Sequence, residues 1–167
     1  MKRAALVLAL IALPAFAQAS DFEITVQRKK EAESSAKHGA VQKTSQGWIG
    51  NVKIENCGFK PAQEIQARYM IFVKRQHAGQ KQGEDQIEKM KGEYRIAELK
   101  SGANVVFPTS EVNLRHSQLD GNYYYIGGGM SKTDDGIAGI WVKLFKGETL
   151  VGEYMNPPNL TTKFKWE

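Results

Sequence analysis

The sequence is short of the devices by which small proteins staple or arm themselves. It holds one cysteine, Cys57, so no disulfide can close within the chain. Its three histidines, His38, His77 and His116, stand far apart. No His-x-His, His-x-x-x-His or Cys-x-x-Cys spacing occurs, so a zinc site would need long-range convergence. Cys57 has no local base to activate it, and no Gly-x-Ser-x-Gly elbow is present. Gly127-Gly128-Gly129-Met130-Ser131-Lys132-Thr133 lacks the glycine that a phosphate loop places directly before its lysine. Asp134-Asp135-Gly136 lacks the spaced acids of a calcium loop and reads as a turn. No catalytic residue, metal or cofactor is therefore expected. No stretch carries a convincing helical period, and no apolar run reaches the roughly 20 residues that span a bilayer.

What is present begins with an export signal. Lys2 and Arg3 precede an apolar run from Ala4 to Phe16, and Ala15-Phe16-Ala17 and Ala17-Gln18-Ala19 are both small-x-small cleavage patterns. Residues 1–19 are thus expected to be a signal peptide, with one domain over 20–167 and a location in the periplasm, on the outer surface or outside the cell. About 147 residues suffice for one core burying roughly 68–70% of the unfolded surface. Removing Lys2 and Arg3 leaves 21 of the 23 basic residues against 18 acids, a mild bias of +3. Such a bias favours acidic surfaces such as anionic glycans or envelope lipids without requiring them. The basic residues interleave with acids and no recognition helix is present, so nucleic acid is not an expected partner.

Period-two alternation carries the fold. Ala138, Ile140, Val142 and Leu144 alternate with Gly139, Trp141, Lys143 and Phe145, then a turn at Lys146–Thr149 leads to a second extended run, Leu150–Tyr154. Trp48, Gly50, Val52 and Ile54 line one face of another strand, and Ile65, Ala67, Tyr69, Ile71 and Val73 one face of a third. Asp21–Lys30 is read as the start of a long hairpin returning through Val41, with Ser34 to Gly39 as its loop; a short surface helix over that loop is the alternative. Ile87–Met90 and Tyr94–Leu99 are two further strands. Asn104–Thr109 is a strand in which Pro108 implies an edge position or a bulge. Tyr123–Ile126 is a short strand, and Leu160, Thr162, Phe164 and Trp166 alternate in a last one. Eight to ten short strands with no helix predict an all-β, antiparallel, two-sheet β-sandwich.

Gly47-Trp48-x-Gly50-x-Val52-x-Ile54-x-Asn56, the strand Ile65–Val73, the Glu98–Gly102 turn before Phe107-Pro108-Thr109, and Gly139-Ile140-Trp141-Val142 follow the export signal. In that combination the chain resembles secreted immunoglobulin-like domains of bacterial envelopes, with pilus-associated members the nearest. The resemblance implies an immunoglobulin-like fold and an envelope location and brings no catalytic residue. The paired cysteines of antibody domains are missing.

Two aromatic features suggest contact surfaces. Tyr123, Tyr124 and Tyr125 run consecutively, so alternation sends at least one ring outward as a candidate binding surface, the others being core. Met70 with Phe72, and Trp141 with Phe145, lie opposite the inward rows of their strands and form a candidate interface patch. The N-terminal hairpin or a second subunit is expected to cover it, which leaves a homo-oligomer open. The functional expectation is a non-catalytic surface or envelope module meeting a protein or glycan, a pilus-like assembly being one setting. The alternative is a small secreted hydrolase whose site converges from distant loops, with Asp134, Asp135 or His116 near a cleft.

Two outcomes follow. Intact-mass analysis of protein from its native host should show cleavage after Ala17 or Ala19; a retained Met1 segment contradicts the export reading. Circular dichroism should show little helix, and melting should be indifferent to reductant and chelator.

Overall fold

The computed structural model of the protein describes residues 20–166 apart from 79, 82, 84, 125, 127 and 128. The expected signal peptide lies outside the described residues. Among them the chain forms nine strands and one 3₁₀ turn. The first hairpin pairs β1 (Phe22–His38) with β2 (Val41–Asn56) along nearly its whole length. The expected loop over Ser34–Gly39 shrinks to Gly39-Ala40, because Gly39 adopts φ +60° while Ala40 keeps a negative φ, the pattern of a type II′ turn. Residues 27–38 are exposed on both faces, so that part of β1 needs no apolar alternation and is held by its ladder to β2. A register shift between Lys30 and Ala32 absorbs one extra residue in the charged run.

The strands β3 (Ala62–Arg75), β4 (Gln86–Leu99), β5 (Asn104–Pro108), β6 (Val112–Leu119), β7 (Lys132–Asp134), β8 (Gly136–Lys146) and β9 (Thr149–Asn156) complete the fold. One sheet runs β1-β2-β6-β7, with β5 also on β2; the other runs β4-β3-β8-β9, and every pairing is antiparallel. This is the predicted all-β sandwich. Ile87–Met90 and Tyr94–Leu99 fuse into one edge strand, β4. Gly92 sits inside it because the Tyr69 ring lies where a side chain would be, 2.2 Å from the position of an added Cβ. Along β2 the partner changes from β5 at Asn51–Glu55 to β6 at Val41–Trp48. Thr109 marks the switch: its N–H donates to the Gly50 carbonyl (2.8 Å) and its Oγ1 accepts from the Gly50 N–H (2.9 Å).

Between the sheets lie Val52, Ile54, Ile65, Ala67, Tyr69, Ile71, Val73, Phe107, Ile140, Val142 and Leu144, the inward rows read from the sequence with Phe107 added. Asn56 is also buried. Its amide donates to the carbonyls of Lys60 and Leu99 (both 2.9 Å) and its Oδ1 accepts from the Gly58 N–H (3.0 Å). These bonds close the β2–β3 connection that the sequence marks only as a break. The register shift between Phe72 and Val73 moves Ala138 off the inward row: Ile137 packs on the main core and Ala138 on the opposite side.

That opposite side holds a second cluster, and the chain's own C-terminal segment covers it. No strand forms over Leu160–Trp166; a cis Asn156–Pro157 bond is followed by the 3₁₀ turn Leu160–Thr162. Proline at 157 and 158 offers no N–H to a ladder, and the segment lies instead across the outer face of β3 and β8. Phe164 stacks on Phe72 with centroids 4.3 Å apart, and Trp166 meets Trp141 edge-on at 5.3 Å. Leu160 is fully buried against Gly139, where a Cβ would come within 2.3 Å of Leu160 Cδ1. Met70, Phe72 and Trp141 thus lie beneath residues 160–166 of the same chain, a cover that the sequence reading did not name.

Deleting residues 157–167 should uncover Met70, Phe72 and Trp141 and produce concentration-dependent association in light scattering. Gly139→Ala should lower stability by about 1–3 kcal/mol through overpacking against Leu160. A monomeric truncation with unchanged melting would refute the covering role.

Candidate functional site

The three surfaces singled out in the sequence meet different fates. The connection from β6 to β7 leaves a base fixed by Leu119 N–H donating to the Ser131 carbonyl (2.8 Å) and Asp120 N–H to the Ala40 carbonyl (2.7 Å). The Lys37–Asp120 ion pair (3.4 Å) adds a tie to β1. No strand forms at Tyr123, Tyr124 or Ile126, and none of the three is core: they are 59%, 84% and 100% exposed. Tyr125 lies outside the described residues. Consecutive tyrosines satisfy alternation only if a partner strand exists, and β6 instead turns back into β7 around this loop.

The patch divides. Met70, Phe72 and Trp141 are closed over as described, while Phe145 stands apart, half-buried under the Arg68 guanidinium at 4.8 Å. Lys143 lies 4.8 Å from both the Trp141 and Trp166 rings and 3.5 Å from Glu153, which accepts from the Trp141 indole N–H (2.8 Å).

His116, Asp134 and Asp135 do come together. β6 and β7 pair His116 opposite Asp134, and the His116 Nδ1 is hydrogen-bonded to the Asp134 carboxylate. The other ring nitrogen, Nε2, is shielded from solvent with no hydrogen-bond partner. Asp135, 6% exposed, faces a different network. Its carboxylate accepts from Arg75 Nη1 (2.9 Å), from the Gln76 N–H (3.0 Å) and from the Arg115 N–H (3.2 Å). Arg75 also donates from Nε to Glu88 (2.6 Å) and from Nη1 to the Asn113 carbonyl (2.6 Å). One guanidinium therefore ties the end of β3 to β4, β6 and the β7–β8 junction, latching the two sheets together. Burial works against the Arg75 charge, but the hydrogen bonds to Glu88 and Asp135 outweigh it and raise its pKa. A raised folded-state pKa contributes stability below the unfolded value that is lost only as pH climbs through the folded one. For an arginine that window lies above ordinary buffers, so its charge persists across the working range.

The latch borders an open cleft of about 470 Å³ at this end of the sandwich, lined besides by Gln76, His77, Gln86, Ile87 and Arg115. His77 joins the lining, whereas His38 sits exposed at the tip of β1 and Cys57 exposed after β2. Among the described residues, no group of three His, Cys, Asp or Glu side chains gathers as a metal site requires. Arg75, Arg115 and Asn56 escaped the sequence reading. Arg75 and Asp135 are 60 positions apart and no local motif links them.

No protein-family model matches the sequence, and no curated protein matches it. Among solved structures, a crystal structure from Akkermansia muciniphila aligns with a TM-score of 0.32 and 12% identity, covering 80% of this chain and 71% of that one. Likeness at that level carries no argument about function.

Replacing Asp135 by Ala removes one of the two carboxylates on the half-buried Arg75, leaves two backbone donors without that acceptor, and should cost about 2–3 kcal/mol. Glu88→Gln, at a half-exposed carboxylate, should cost less than about 1 kcal/mol. Urea midpoints for the two variants check the order; equal losses would mean that Arg75 is not held chiefly by Asp135.

Proposed function

We propose that the chain is a non-catalytic, exported module of the cell surface or envelope that works by contact with another protein or a glycan, a pilus-like assembly being one setting. The observation that carries this reading is the exposure of Tyr123, Tyr124 and Ile126 between β6 and β7. A sheet end fixed by backbone bonds presents Tyr123, Tyr124 and Ile126 to solvent. Tyrosine rings expose a large amphipathic surface with few rotatable bonds, so they bind with little entropy lost. Exposed large apolar groups close together in sequence are also what a soluble domain avoids unless something meets them. The export signal read from the sequence and the resemblance to immunoglobulin-like envelope domains supply the compartment.

A hydrolytic reading draws on the His116–Asp134 pair, which has the form of a base and its orienting carboxylate. Geometry weighs against it. The His116 Nε2, the atom that would take a proton, is shielded and touches no hydroxyl or thiol. Asp135 is committed to three donors.

Glycan arrays and pull-downs from envelope extracts should give saturable binding by the wild type that falls about tenfold or more in a Tyr123→Ala, Tyr124→Ala double variant, as loss of central aromatic contacts implies. Binding that both substitutions leave untouched would remove the tyrosine loop, and turnover in a broad hydrolase screen would overturn the non-catalytic reading.

A further inference from the structure

We propose that the cleft over the Arg75 latch is a second contact site, and that it takes a carboxylate-bearing sugar unit of an acidic glycan, such as a uronic acid residue. This deepens the surface-contact reading and rests on it, but it uses residues remote in sequence from the tyrosine loop. The volume of about 470 Å³ falls within the roughly 300–1,000 Å³ of ligand clefts.

The charge arrangement points to the ligand. Asp135 is enclosed, and its carboxylate is consumed by Arg75 and two backbone N–H groups. Glu88 is paired with Arg75 Nε. Both carboxylates are thus already bound by Arg75, and neither is paired with Arg115. Arg115 differs: its backbone joins the latch, but its guanidinium has no ion pair or hydrogen bond among the described residues, and it lines the cleft. The His77 ring and the Gln86 amide line the cleft likewise without side-chain partners. An unpaired guanidinium presents a planar fork of donors matched to a carboxylate, and the neighbouring ring and amide offer donors and acceptors for hydroxyls.

A sugar fits this lining better than a peptide does. Ile87 is the one large apolar side chain in the wall, and it is 40% exposed, so there is no pocket to desolvate an anchoring aromatic or aliphatic residue. A pyranose needs no such pocket; it needs polar groups at hydroxyl spacing and a small apolar surface for its ring. The surplus positive charge of the chain favours the encounter.

The test is calorimetric titration of the purified protein with a glucuronate-containing tetrasaccharide. Its carboxyl-reduced neutral counterpart and a glutamate-rich peptide serve as controls. The acidic oligosaccharide should bind saturably, more weakly at high salt, and about tenfold or more tighter than the neutral one. Arg115→Ala should abolish that preference, Arg115→Lys should restore part of it, and the tyrosine double variant should leave it intact. Arg115 is exposed and its side chain has no ion pair among the described residues, so its replacement should spare the fold. Equal binding of the neutral sugar, preference for the peptide, no saturable binding, or an Arg115→Ala protein that binds as the wild type does would each overturn the proposal. If the arrays show tyrosine-dependent binding while this titration fails, the cleft is wrong and the contact-module reading stands; failure of both removes the module reading too.

Discussion

The stack of Phe164 on Phe72 resolves a constraint set by the central strand. Phe72 and Val73 are neighbours in β3, point to opposite faces, and are both inaccessible to solvent. A two-layer sandwich can bury only one face of each sheet. Here the β3–β8 pair is apolar on both, with Ala67, Tyr69, Ile71 and Val73 on one side and Met70, Phe72 and Trp141 on the other. The fold must add a third layer locally, and residues 160–166 provide it. Two aromatic contacts contribute about 0.5–1.5 kcal/mol each beyond the area they bury. Gly139 is part of the same solution, since only a residue without a side chain lets Leu160 approach β8 so closely.

With that face closed, the exposed Tyr123, Tyr124 and Ile126 and the open cleft lie away from it. The Arg75 latch joins both sheets at one end, and the Arg115 guanidinium beside it has no partner among the described residues. The turn of β1–β2 is tied to the loop after β6 through Ala40 and Lys37, so the tyrosines project from an ordered base. Rigid strands carrying solvent-facing loops are a common division of labour between scaffold and recognition.

Much of this scaffold was legible because alternation is a direct record of two-sided strands. Val52, Ile54, Ile65, Ile71, Val142 and Leu144 all point where their spacing says. Pro108 sits in a strand with one neighbour, as an edge proline must. What stayed hidden has identifiable causes. Ser34–Lys37 read as a loop because a strand solvated on both faces leaves no hydrophobic period. Leu160, Phe164 and Trp166 read as a strand because an irregular segment pressed on an apolar face also spaces its apolar residues evenly. The cleft was invisible: Arg75, Arg115 and Asp135 are joined by topology alone, and a charged residue in sequence does not announce whether its partner lies across the fold or nowhere.

The account depends most on the claim that the C-terminal segment closes the face of its own molecule. Isotope-filtered nuclear Overhauser measurements on an equimolar mixture of labelled and unlabelled protein test that claim directly. Contacts between the Phe72 and Phe164 rings, and between Trp141 and Trp166, should arise within one molecule. The same contacts appearing between labelled and unlabelled chains, or no contact at all, would contradict it.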